Sequence, residues 1–175
     1  MVMGIDPGTA NLGFGVVRIE GQHMVALDGG VIETDSGVPL EQRLSEIHTA
    51  LCRLIEWHQP AALAIEDLYF GKNIGSAMKV GQASGVSMLA AAQSEVPCFT
   101  YTPQAIKTSV CGSGGAAKRQ VQKMVATLLH LNEVPQPDHA ADALAVAICH
   151  GATAGRRDAT EAALAGSSST LRVAS

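Results

Sequence analysis

The chain opens with a short apolar run, residues 2–5 (VMGI), that stops at Asp6-Pro7-Gly8. Two further stretches, 13–19 (GFGVVRI) and 24–33 (MVALDGGVIE), carry many β-branched residues and are separated by Gly21 and polar positions. The pattern predicts three antiparallel strands joined by tight turns. Leu40, Leu44, Ile47, Leu51, Leu54 and Ile55 then recur at helical spacing, which predicts an amphipathic helix over 39–57 with Pro39 near its start. Pro60 interrupts the chain, and 61–65 (AALAI) predicts a buried strand ending at Glu66. After a polar loop, residues 76–94 are helical in pattern. Gly81 and Gly85 share one face of that helix, where two glycines predict close packing against another backbone, either the sheet or a second subunit. Residues 97–101 predict a strand, and 103–110 a short helix started by Thr102 and Pro103. A glycine-rich loop (111–116) leads to a helix over 117–130 with Val121, Met124, Val125 and Leu128 inside, and Pro135 and Pro137 precede a last helix over 138–150. The order β-β-β-α-β-α-β-α-α-α predicts an α/β fold, a mixed five-stranded sheet flanked by helices on both faces.

Length and composition narrow this picture. The 175 residues suit one domain, and 47% apolar against 16% charged residues excludes a disordered chain. We expect a single domain over 1–152 and a disordered tail over 153–175, where Ala, Gly, Ser and Thr dominate. No apolar run approaches the roughly 20 residues that span a bilayer, and the first residues lack a basic region with a cleavable apolar segment. The expectation is a cytoplasmic protein with no membrane partner. Cys52, Cys98, Cys111 and Cys149 form no CxxC pair, so reduced and mostly buried thiols are expected.

The formal charge of −4 argues against a nucleic-acid partner until its distribution is considered. Residues 1–65 carry Arg18, Arg43 and Arg53 against eight acids. Residues 66–130 carry Lys72, Lys79, Lys107, Lys118, Arg119 and Lys123 against Glu66, Asp67 and Glu95. A local basic face binds phosphate even on an acidic molecule.

Three acids stand where acids are seldom found unless they act. Asp6 and Glu66 end apolar strands, and Asp142 interrupts the alanine-rich run HAADALAVAI. Unpaired burial of a carboxylate costs several kcal/mol, and no mid-chain lysine or arginine is locally spaced to pair with these three. A divalent cation resolves the conflict, since hard cations take oxygen ligands. The plainer readings are a turn cap for Asp6 and a solvated strand end for Glu66. His139 lies three residues before Asp142 and Asp138 four before it, so both share a face with it. Spacing leaves open which is the additional ligand. His58, His130 and His150 each fall near a predicted helix end and read as structural. Two carboxylate-held metals about 4 Å apart would support in-line hydrolysis of a phosphodiester, with nearby lysines on the substrate phosphates.

The segments GIDPGTANLGFGVV, AIEDLYFGKN, KVGQASGV, KTSVCGSGGAAKRQV and HAADALAVAICH, in this order and spacing, resemble the RuvC family of Holliday junction resolvases. The resemblance runs over residues 2–150. It implies an RNase H-like fold and symmetric nicking of a four-way DNA junction in recombination and repair. It further implies a homodimer, Mg²⁺ or Mn²⁺ at two per active site, and work beside the RuvAB branch-migration complex. By position it assigns Asp6, Glu66, His139 and Asp142 as catalytic metal ligands. His139 falls where many members carry aspartate and some histidine, and its nitrogen is expected to favour Mn²⁺. Lys107 and Lys118 match basic residues near the scissile phosphate. Tyr69, with Phe70 beside it, matches an aromatic that stacks on opened bases. Lys72, Asn73, Lys79, Arg119 and Lys123 are candidate backbone contacts.

Competing readings come from other classes. Asp-x-Gly-Thr followed by a glycine-rich hairpin also opens the actin-like sugar kinases and ATPases, where Gly8, Thr9 and Gly13 would cradle a nucleotide phosphate. Those enzymes need two domains, which this length does not supply. A catalytically inactive junction-binding module and a nuclease acting on RNA–DNA hybrids are the remaining rivals.

Overall fold

The computed structural model describes the backbone of residues 1–67 and 74–168, and the side chains of 1–67 and 77–154. Five strands, β1 (Val2–Asp6), β2 (Asn11–Glu20), β3 (His23–Glu33), β4 (Ala62–Glu66) and β5 (Cys98–Tyr101), form one sheet in the order β3-β2-β1-β4-β5. The helices are α1 (Leu40–His58), α2 (Ile74–Gln93), α3 (Pro103–Cys111), α4 (Lys118–Leu128) and α5 (Asp138–Ser168). β1–β2 and β2–β3 pair antiparallel, whereas β1–β4 and β4–β5 pair parallel. The parallel pairs follow from the chain order, because each helical crossover returns the next strand in the same direction. The element order and the mixed sheet agree with the sequence pattern.

Strand alternation divides the core in two. Met3 and Ile5 of β1, with Leu63 and Ile65 of β4, pack under α1 and α2. Val2 and Ala64 face the opposite way, into a cluster with α3, α4 and α5. Successive side chains alternate faces, so Asp6 and Glu66 fall on the α5 side. β1 and β4 are parallel neighbours with Ile5 beside Ile65, so these two acids leave adjacent strands at the same end of the sheet.

α5 lies against that face more closely than side chains permit. A Cβ on Gly4 would stand 2.0 Å from the Ala143 carbonyl oxygen, and one on Gly13 would stand 2.1 Å from that of His139. Gly13 is the register partner of Asp6. Glycine there lets the helix backbone rest on the sheet and brings the first turn of α5 to the end of β1.

Three expectations change. The last helix does not stop at 150: α5 is helical to Ser168, past the boundary where composition placed the start of a tail. Its Ala-, Arg- and Glu-containing sequence there has high intrinsic helix propensity. The cysteines are free, but only Cys149 is buried; Cys98 is exposed, and Cys52 and Cys111 are half-buried. Finally, of the two partners left open for the face carrying Gly81 and Gly85, the sheet falls away at Gly85, where a Cβ would meet nothing within 4 Å among the described residues. Gly85 lies on an outward face of α2 with exposed Met78, Met88 and Leu89.

Candidate active site

Asp6, His139 and Asp142 converge from opposite ends of the chain. Each offers a ligand atom, and these atoms lie within 4.8 Å of one another. His139 Nδ1 is 2.7 Å from Asp6 Oδ2. A ring nitrogen facing a carboxylate donates its proton, which leaves the Nε2 lone pair for another partner. Glu66, at the end of the adjacent strand, stands outside that group of three but close enough to feel the charges of Asp6 and Asp142. It shares a 240 Å³ cavity with Asp142, Lys107 and Lys118, floored by Ile106 and Val121.

The electrostatics are those of a site short of positive charge. Burial raises the Glu66 carboxyl to about 7, and the charges of Asp6 and Asp142 push in the same direction against Lys107 and Lys118. Asp6 is raised as well, first by burial, while the His139 hydrogen bond holds it down. Lys118 Nζ makes ion pairs with Asp142 Oδ2 at 2.9 Å and with Asp138 Oδ2 at 3.3 Å. The two lysine ammoniums of the cavity do not balance three inward carboxylates. Oxygen donors with one imidazole, carrying unrelieved negative charge, fit a divalent cation.

The structure separates the two candidates that spacing left open. His139 stands on Asp6, whereas Asp138 is exposed and pairs with Lys118. It also supplies Asp142 with the basic partner that local spacing did not, because α4 and α5 pack side by side. Arg119 is exposed on α4 and lines a shallow groove with Lys123. Lys79 is exposed on α2. Tyr69, Phe70, Lys72 and Asn73 lie outside the described residues. Of the histidines read as structural, His58 pairs with Asp28 at 2.8 Å. His150 is not at a helix end but buried within α5, 2.8 Å from the Tyr101 hydroxyl.

Arg43 was missed. It is buried on α1 and donates to the Thr9 carbonyl at 2.7 Å and to Thr34 Oγ1 at 2.9 Å. It thereby pins the turn that follows Asp6. The signal was in the spacing: Arg43, Ile47, Leu51 and Ile55 form one four-residue stripe, and these are the buried residues of α1.

Residues 2–150 match the profile of the family described as "Crossover junction endodeoxyribonuclease RuvC". The chain belongs to the RuvC family. A RuvC of Chloroflexus aggregans is 50% identical over 152 residues, covering 87% of this chain and 93% of the relative. One of Pelotomaculum thermopropionicum is 50% identical over 150 residues, covering 86% and 92%. Among solved structures, Thermus thermophilus RuvC in complex with Holliday junction substrate superposes with a TM-score of 0.85 at 38% identity, covering 89% of this chain and 94% of that one. A yeast mitochondrial Holliday junction resolvase shares the fold at 16% identity, with a TM-score of 0.58. The sugar-kinase reading has no support beside a RuvC match of this extent. Among the described residues, no helix is long and apolar enough to cross a membrane.

Proposed function

We propose that this RuvC-family protein is a metal-dependent endonuclease that resolves four-way DNA junctions by nicking two equivalent strands, in recombination and repair. The observation that carries the reading is the convergence of Asp6, Glu66, His139 and Asp142 at one end of the sheet, beside Lys107 and Lys118. Asp6, His139 and Asp142 would hold a divalent cation, with Glu66 as a further oxygen ligand, and two ions per site are what the family resemblance implies. Bound there, Mg²⁺ or Mn²⁺ supplies the charge that lowers the pKa of a water and stabilises the leaving oxygen. The chain does the rest. Lys107 and Lys118 hold the phosphate at the cavity rim, and Arg119 follows the backbone away from it. His139 fixes the Asp6 carboxylate through Nδ1, and Arg43 fixes the turn behind it. Water adds to phosphorus and the P–O3′ bond breaks, leaving a 5′-phosphate and a 3′-hydroxyl that a ligase can rejoin.

Two nicks need two sites. The outward face of α2, with Gly85 unobstructed and three large apolar side chains exposed, is the surface we assign to a homodimer. Tyr69 and Phe70, with Lys72 and Asn73, are assigned to the opened junction centre by the family resemblance. The same resemblance carries work beside RuvAB and a cytoplasmic location.

The test is incubation of a labelled four-way junction with Mn²⁺. Wild type is expected to yield paired nicked duplexes. Asp6→Asn is expected to lose at least about a thousandfold in rate while binding the junction in EDTA as wild type does. Intact cleavage by Asp6→Asn would refute the site.

A further inference from the structure

Asp138 is left without a role once His139 takes the place beside Asp6. It is the first residue of α5 and stands outside the group of donor atoms formed by Asp6, His139 and Asp142. Two residues of α4, one helical turn apart, face it. Lys118 Nζ is 3.3 Å from its Oδ2. Gln122, 8% exposed, has a buried Nε2 with no hydrogen-bond partner among the described residues, and its side chain, ahead of the Lys118 ammonium, holds the Asp138 carboxyl below the usual carboxylate range. Asp138 and Asp142 are likewise one turn apart on α5, so the Lys118 ammonium lies between two carboxylates.

The two carboxylates are not equivalent. Asp142 accepts from Lys118 through Oδ2 at 2.9 Å, and its carboxylate is also one of the three groups fit for a cation. It cannot give full charge to both. Asp138 faces no such competition. We propose that Asp138 is a positioning residue that, steadied by Gln122, tethers Lys118 at the cavity rim so that its ammonium meets the scissile phosphate when Asp142 is engaged elsewhere. The proposal rests on the nuclease reading above. Both side chains of the Lys118–Asp138 pair are 54% exposed, and exposed pairs add little to stability. The effect therefore belongs in the cleavage step and not in folding.

Single-turnover cleavage of a four-way junction with Mn²⁺ tests it, using wild type, Asp138→Asn, Asp138→Glu, Lys118→Ala and the Lys118→Ala/Asp138→Asn double variant. Junction affinity in EDTA and thermal midpoints are measured alongside. Asp138→Asn is expected to slow cleavage about three- to tenfold, with the midpoint unchanged and the affinity equal or tighter because a negative charge is gone. Asp138→Glu is expected to recover most of the rate. In the Lys118→Ala background, Asp138→Asn is expected to cause no further loss. An unchanged rate in Asp138→Asn overturns the proposal. So does an equal loss in the Lys118→Ala background, which would mark Asp138 as a metal ligand or a helix cap acting independently of Lys118. Failure of wild type to cut any four-way junction would overturn the nuclease reading, and this proposal with it.

Discussion

At the scale of single residues, Glu66 shows how much the site strains against its own charge. Its carboxyl titrates near 7 in the folded chain and near 4.5 when unfolded. Below pH 4.5 both states hold the proton, and burial adds no ionisation penalty. Between 4.5 and 7 the unfolded chain releases the proton while the folded one keeps it, so stability falls as pH rises. The loss is complete above 7 and amounts to about 3 kcal/mol. Asp6 is raised too and acts in the same direction. In EDTA, the wild-type thermal midpoint is expected to drop between pH 5 and pH 8, and Glu66→Gln to flatten that slope. An equal slope in both proteins would show that Glu66 is not buried against its neighbours. The imidazole of His139 makes a second residue-scale prediction. Nitrogen is a softer donor than carboxylate oxygen, so cleavage at saturating metal is expected to be faster with Mn²⁺ than with Mg²⁺, and His139→Asp to narrow the ratio. Equal wild-type rates would count against His139 as a ligand.

At the scale of elements, the contact between α5 and the sheet decides whether the site exists. Gly4 and Gly13 remove the Cβ atoms that would otherwise meet helix carbonyls at 2.0 and 2.1 Å. The obstacle is backbone, so a rotamer change cannot relieve it. Gly13→Ala is expected to lift the first turn of α5 from β1, destabilising the fold by about 2–4 kcal/mol and abolishing cleavage, both read from one preparation by chemical unfolding and junction assay. A thermal midpoint equal to wild type would contradict the close approach. Element order was legible in the sequence because each strand and helix carries its own periodicity. The extent of α5 was not. Residues 153–175 read as a disordered tail by composition, and helix propensity set against small-residue content gives no decision without the rest of the fold.

At the scale of the whole molecule, the homodimer proposed to form through the outward face of α2 would make one nick into two. Gly85→Leu leaves the chain's own packing untouched, since nothing stands within 4 Å of that Cβ. It is expected to keep the wild-type midpoint while shifting sedimentation to the monomer, and to yield singly nicked junctions. A dimer that survives Gly85→Leu would place the interface elsewhere.

The sequence by itself determined the strands and helices, their order, the acids at the strand ends, and the resemblance that the family match bears out. It did so because local periodicity and motif spacing are written along the chain. Residue spacing did not choose between His139, which the resemblance assigned, and Asp138; the tertiary structure seats His139 on Asp6, and it alone decided that Lys118 serves Asp142 and that Arg43 anchors the turn after Asp6. Adjacent helix positions differ by about 100° around the axis, and spacing along α5 does not say which direction faces β1. That direction is fixed by the seating of the helix on Gly4 and Gly13, a contact between segments more than 120 residues apart.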